Sequence, residues 1–230
     1  MKFHRIHRGI AGPEAAIITI VLVIVAAALA FVVLNMGFST TQKAKTTITE
    51  SLGQASSSLM VAGKVFGSGD TTNNKLKVLA IPIKVSSGGE SINLDQGTAT
   101  IKYLSNSITH DNIYAGTLEA DGDGSQDTSG EWASLSAAVT DAVTKTWFDA
   151  NPISAGPPSN TKAFIYWTAN DNSNAILDQG EHAVVAIGFS GADKPAALDK
   201  VRVEVIVPTG SPLTVERQVP SITTSYVDLG

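Results

Sequence analysis

The sequence predicts an α+β protein: a long N-terminal hydrophobic α-helix followed by an immunoglobulin-like antiparallel β-sandwich. Two observations carry this prediction. Residues Ala15 to Leu34, AAIITIVLVIVAAALAFVVL, make a run of 20 residues with no charge and one hydroxyl, Thr19. Beyond residue 70 the pattern changes to short β-rich runs bounded by Gly, Asn, Asp and Pro. A chain of 230 residues leaves room for one good-sized domain after the helix.

The apolar run is long enough to cross a bilayer. At about 1.5 Å of rise per residue it extends roughly 30 Å, the thickness of the hydrocarbon core. The nine residues at the start, MKFHRIHRG, carry Lys2, Arg5 and Arg8 and no acid, a bias that keeps the N-terminus cytoplasmic and sends the rest outward. A secretory signal would have an apolar region of about 7–15 residues followed by a small-x-small cleavage site. The one such site, Ala28-Leu29-Ala30, sits inside the run, with Phe31 to Leu34 still to come. A plain membrane anchor fits the length but leaves the junction Arg8-Gly9-Ile10-Ala11-Gly12-Pro13-Glu14 unexplained. An acid at the membrane edge of such a helix is expected to have a partner, since a charge at the bilayer centre costs about 2.5–3.5 kcal/mol.

Pro13 sits where proline is tolerated, in the first helical turn. Past Leu34, residues Ile48, Leu52, Ala55, Leu59, Ala62 and Phe66 follow at alternating spacings of 4 and 3, a seam of period 3.5 that wants a partner along one face. Gly53, Gly63 and Ser56 to Ser58 lower the helical propensity, so packing has to support it. The helix is expected to end at Gly67-Ser68-Gly69-Asp70, giving a rod of roughly 80 Å. Two helices broken near Asn35-Met36-Gly37 are the alternative.

The strands expected are Leu76–Val85, Thr98–Leu104, Ile113–Leu118, Ala163–Thr168, His182–Phe189, Val201–Val207 and Leu213–Val219. In the sixth, Val201, Val203, Val205 and Val207 share one face, while Arg202 and Glu204 point the other way. Pro208-Thr209-Gly210-Ser211-Pro212 turns the chain into the seventh. Seven strands without interleaved helices read as a sandwich. Residues 131–149 fit a short helix or an irregular loop with two tryptophans.

Composition narrows the function. The absence of cysteine leaves core burial, hydrogen bonds or ions to hold an outer domain. The net charge is −5, and 19 of the 21 acids lie beyond residue 66 against ten bases. That acidity argues against nucleic acid as a partner. No catalytic constellation emerges. His4 and His7 lie in the leader, and His110-Asp111 and Glu181-His182 have no metal-ligand spacing. Gly188-Phe189-Ser190-Gly191 lacks the last glycine of a nucleophile elbow.

One cluster is sharper. From Asn170 to Glu181, oxygen-bearing side chains at Asn170, Asn172, Asn174, Asp178 and Glu181 occupy positions 1, 3, 5, 9 and 12 of a twelve-residue loop, with the Ile176 carbonyl at 7. Those are the ligand positions of an EF-hand-type loop, so a structural calcium ion is the one cofactor candidate, and no cofactor is required. Asn at position 1 and Ala175 at position 6 depart from that pattern. A hairpin loop closed by Asn/Asp side-chain turn chemistry explains the residues equally well. Asp121 to Asp127 is a second, weaker acidic loop.

The two ends of the chain carry a family resemblance. RGIAGPEAAIITI resembles the class III signal of archaeal flagellins (archaellins) and type IV pilins, and VRVEVIVPTGSPLTVERQVPSITTSYVDLG resembles the end of archaellins. The resemblance implies cleavage between Gly9 and Ile10, which removes three bases and takes the net charge from −5 to −8. It makes Glu14 the fifth mature residue and divides the chain into a signal peptide (1–9), an assembly helix (10–66) and an outer sandwich (67–230). The assembly residues it implies are Glu14, Ile17, Ile20, Ile24, Phe31, Leu34, Ile48, Leu52 and Leu59. The implied partners are further copies of the chain and other archaellins, a prepilin peptidase, the archaellum ATPase and its membrane platform, and the membrane itself before assembly. The implied product is the extracellular swimming filament of archaea. The chain departs from many archaellins in having no Asn-x-Ser/Thr sequon. An adhesive type IV pilin or a membrane-anchored surface binding module is the alternative, and a tethered enzyme acting on polysaccharide a remoter one.

Overall fold

The computed structural model describes residues 12–56, 59–118 and 131–230. The chain divides into two compact units, Met1–Ser51 and Leu52–Gly230. The cleavage junction Gly9–Ile10 and the acidic loop 121–127 lie outside the described residues.

Helix α1 spans Gly12–Ser56, 45 residues, or roughly 68 Å. Pro13 occupies its first turn, and Glu14 places a negative charge where the helix dipole favours one. The helix runs unbroken through Asn35-Met36-Gly37, so the two-helix alternative does not apply. Four of its threonines satisfy their own hydroxyls: Thr19, Thr41, Thr46 and Thr49 each donate to the carbonyl four residues earlier, at 2.7–3.0 Å.

The helix stops ten residues short of the expected end. Leu59 lies in β1 (Leu59–Val61) and Phe66 opens β2 (Phe66–Asp70). Both strands pair with β3 (Lys75–Val85), Leu59 opposite Val85 and Phe66 opposite Ala80. Leu59 is buried in the outer core, so it belongs to that core and not to an assembly helix. Long-range pairing overrides the 3.5-residue spacing here because sheet partners satisfy the backbone of a glycine-rich segment that a helix would hold weakly. The glycines are required by close approach. A Cβ on Gly67 would lie 2.5 Å from the Val78 carbonyl oxygen, and one on Gly69 would lie 2.4 Å from Ile222 Cγ2.

The remaining elements are β4 (Ile92–Asn93), β5 (Thr100–Ser105), β6 (Thr109–His110), β7 (Tyr114–Thr117), α2 (Leu135–Thr144), β8 (Lys162–Ala169), β9 (Ile176–Leu177), β10 (His182–Gly188), β11 (Lys200–Ile206), β12 (Leu213–Gln218) and β13 (Tyr226–Asp228). All seven expected strands are present. They form a large sheet in the order β13-β2-β3-β10-β8-β7, with β1 also on β3, and a smaller sheet β12-β11-β5-β6. The short pair β4-β9 stands apart. Val201, Val203 and Val205 turn inward from the smaller sheet, as their alternation predicts, while Arg202 stays exposed. Between the sheets Tyr103 of β5 meets Phe189, just past β10, with ring centroids 5.1 Å apart.

The sheets are antiparallel except at one pair, and the 131–149 stretch holds the short helix, one of its two readings. Strands β7 and β8 are parallel, and α2 lies in the connection between them, as a parallel pair needs a long crossover. Ser134 caps α2 by accepting the Ala137 amide at 3.2 Å, and Leu135, Ala138, Val139 and Ala142 bury one face. At the chain end the Val65 amide donates to the Gly230 carbonyl and the Leu229 amide to the Val65 carbonyl, and β13 pairs with β2. The terminal DLG therefore fastens the first strands of the outer unit.

Candidate functional site

Among the described residues of α1 none is buried. Ile17, Ile20, Ile24, Phe31, Leu34 and Ile48 are 59–68 % exposed, and the apolar side chains surround the helix. A helix apolar on every side belongs in lipid or in a packed protein core, never in water. Its segment Gly12–Thr49 is long and apolar enough to cross a membrane by length and composition. Glu14 sits exposed at the start of this segment. The side chain of Leu52, like Gly9 and Ile10, lies outside what the structure describes.

The loop Asn170–Glu181 joins β8 to β10, with β9 inside it. The structure brings its oxygen-bearing side chains together but spends them on closing the loop. Glu181, 2 % exposed, accepts the Asp171 amide through Oε1 at 2.9 Å and the Asp178 amide through Oε2 at 2.8 Å. Asn170 Oδ1 accepts from the Ser173 amide at 2.9 Å, and Asn174 Oδ1 from the Ile176 amide at 2.7 Å. Asp178 takes the Asn172 side-chain amide at 2.6 Å and the Ser91 hydroxyl. Ser173, at φ 54°, provides the left-handed turn that the missing glycine leaves open. These hydrogen bonds are those of a hairpin closed by Asn/Asp side-chain turn chemistry. Among the described residues no group of three or more acidic, histidine or cysteine side chains is placed to hold a metal ion.

A second cluster gathers residues that sequence reasoning treated separately or passed over. His110 Nε2 lies 3.1 Å from Asp193 Oδ2, and the Thr161 hydroxyl donates to that same oxygen at 2.6 Å. The Ser190 amide donates to Thr161 Oγ1 at 3.0 Å, and Ser190 is itself buried. Burial opposes ionisation of Asp193, yet hydrogen bonds from Thr161, Ser190 and His110 hold its carboxyl below the usual range. The histidine thus meets a carboxylate that ties β6 of one sheet to the turn leaving β10 of the other. The signal was a half-buried acid beside a Ser-Gly turn, which spacing alone does not reveal.

Comparison with known proteins shows the family. A family model described as archaeal-type flagellin matches residues 9–217. Probable flagellin 1 of Aeropyrum pernix is 34% identical over 220 residues, covering 94% of each chain. The chain belongs to the archaeal-type flagellin family. A probable flagellin 1 of Archaeoglobus fulgidus is 35% identical over 101 residues, 44% of this chain and 50% of its own length. The fold agrees with the archaeal flagellum of Methanospirillum hungatei (TM-score 0.58, 22% identity, 94% of this chain and 98% of that one). It agrees also with crystalline flagellin FlaB1 of Methanocaldococcus jannaschii (TM-score 0.56, 19% identity, 75% and 96%). This flagellin is a structural subunit of the extracellular flagellar filament, and the adhesive-pilin alternative is not favoured.

Proposed function

We propose that α1 serves this flagellin twice, first as the membrane anchor of a precursor and then as the helix by which mature copies polymerise. The supporting observation is its fully exposed apolar run: Ile17 to Leu34 cannot stay in water and has no cover within its own unit. The basic leader orients the precursor in the membrane, and a prepilin peptidase cuts between Gly9 and Ile10. Moving the helix from lipid to a filament core gains little hydrophobic energy, because lipid tails are as apolar as leucine. An archaellum ATPase on a membrane platform supplies the work of extraction. Packing of Ile17, Ile20, Ile24, Phe31, Leu34, Ile48 and Leu52 against the same helix of other copies, or of other flagellins, then holds the polymer. A head-to-tail arrangement that does not close gives an open filament.

The Gly9→Val variant tests the processing step. It is expected to accumulate as an uncut membrane precursor with no filaments. Normal filament yield from an uncut chain would overturn the order of events proposed.

A further inference from the structure

The start of α2 and the large sheet together line a groove of about 450 Å³, a size typical of small-molecule sites. Its floor is one cross-strand row, with Val184 of β10 opposite Pro82 of β3 on one side and Tyr166 of β8 on the other. Directly opposed residues share a face of the sheet, so the three side chains form one surface. Trp132, whose amide donates to the Trp167 carbonyl of β8 at 2.8 Å, walls one side. Phe66 of β2 and Tyr226 of β13 wall the other.

The polar groups around this groove are held by bonds within the protein. The Trp132 indole N–H donates to the Asp141 carboxylate. The Thr168 hydroxyl donates to the His182 carbonyl at 3.2 Å, and Ser134 accepts the Ala137 amide at 3.2 Å. Tyr166 is the exception. It is 2 % exposed, yet among the described residues its hydroxyl has no hydrogen-bond partner, and burial alone pushes the phenol up from its ordinary range. Unlike the Trp167 indole N–H, which is wholly enclosed, this hydroxyl opens on the groove that its ring lines. A buried hydroxyl without a partner is a cost that a bound acceptor removes.

Among the described residues no charged side chain lines the groove. The acids beside its walls are engaged elsewhere: Glu131 accepts the Asn170 amide at 2.9 Å, Asp228 pairs with Lys64 at 2.6 Å, and Asp141 takes the Trp132 indole. Lys84 and His182 stand two residues on from Pro82 and Val184 and line a separate cavity with Met60. Aromatic walls, one open phenol and no charge define the ligand's chemistry.

We propose that this groove of the outer unit binds a neutral sugar. A pyranose ring has a face of C–H groups that are slightly positive, and the rings of Trp132 and Tyr226 carry negative faces that attract it. Its hydroxyl oxygens offer Tyr166 the acceptor it lacks. An aromatic hydrocarbon would fill the walls and leave Tyr166 unpaired, and an acid would meet no cation there. The site belongs to the single subunit and stands or falls apart from polymerisation.

The test titrates the full chain, in a detergent without a sugar headgroup, with neutral tetrasaccharides of glucose, mannose and N-acetylglucosamine. Tryptophan emission is the readout, since Trp132 lines the groove. At least one of the three sugars is expected to shift the emission saturably. Tyr166→Phe keeps the ring and removes only the hydroxyl. Its outer unit should unfold at or above the wild-type temperature, while affinity for that sugar falls about tenfold, the loss of one hydrogen bond. Tyr226→Ala, at a position 63% exposed, leaves the core untouched and should weaken the same sugar by a similar factor. No saturable response to any of the three sugars would overturn the site, as would an affinity unchanged in either variant. Indole bound by the wild type where none of the sugars binds would equally overturn it, leaving an apolar cleft around a solvated tyrosine.

Discussion

Glu181 holds the amide of Asp171 at 2.9 Å across ten residues of loop, with the carboxylate buried. Its second oxygen holds Asp178, so one side chain sets the spacing between β8 and β10. Glu181→Gln puts an amide NH2 where an acceptor is needed and leaves one part-buried backbone amide without its partner. The expected cost is about 1–3 kcal/mol. All three tryptophans lie in the outer unit, so tryptophan fluorescence of the full chain in detergent reads its unfolding alone. The same midpoint in millimolar calcium and in chelator is expected for the wild type. A calcium-dependent rise that Glu181→Gln abolishes would establish a cation site in this loop.

Gly67→Ala and Gly69→Ala should each destabilise the outer unit by about 1–3 kcal/mol, because the added methyl overlaps a backbone carbonyl in one case and Ile222 in the other. Gly63→Ala is the control, since its Cβ would meet only Pro82 Cγ at 3.9 Å. Equal midpoints for all three variants would show that β2 can move away from its neighbours at little cost.

These glycines also mark where the sequence stopped being legible. The apolar run Ala15–Leu34 could be read directly, because length and lack of charge are local properties. So could the strands with valine alternation, such as Val201 to Val205. The segment Leu59–Asp70 could not, because its 3.5-residue spacing fits a helix locally and only pairing with β3 and β13 makes it strands. The Asn170–Glu181 loop shows the same limit. Oxygen positions alone fit an ion or a turn, and the choice depends on which backbone amides face them.

Acid should weaken the outer unit through Asp193. Its carboxyl is held below its ordinary value of 3.8 in the folded protein. The stability it contributes is therefore complete above that value and is lost as pH falls through the lower folded one. Asp193→Asn should cost about 1–3 kcal/mol near neutrality, and the gap to the wild type should narrow by pH 3. A gap of constant size between those conditions would mean the carboxylate charge is not what ties β6 to the turn after β10.

Glu14 offers a test of assembly separate from processing. Cleavage would expose an amine on Ile10, positive over much of the physiological range with a reference pKa of about 7.7–8.0. Four positions along the chain separate it from Glu14, whose carboxylate is the proposed partner for the amine of its own chain or of the next subunit. Glu14→Gln should still be cut but give few filaments. Wild-type yield would leave Glu14 only its interaction with the helix dipole, worth about 0.3–1 kcal/mol.

The central claim is that this flagellin builds its filament on a retained apolar helix. Intact-mass spectrometry of the subunit from purified surface filaments tests it most directly. The account predicts a filament subunit running from Ile10 to Gly230, with the whole of α1 kept. Filaments whose subunit begins at Met1, or near Phe31 with the apolar run removed, would contradict it.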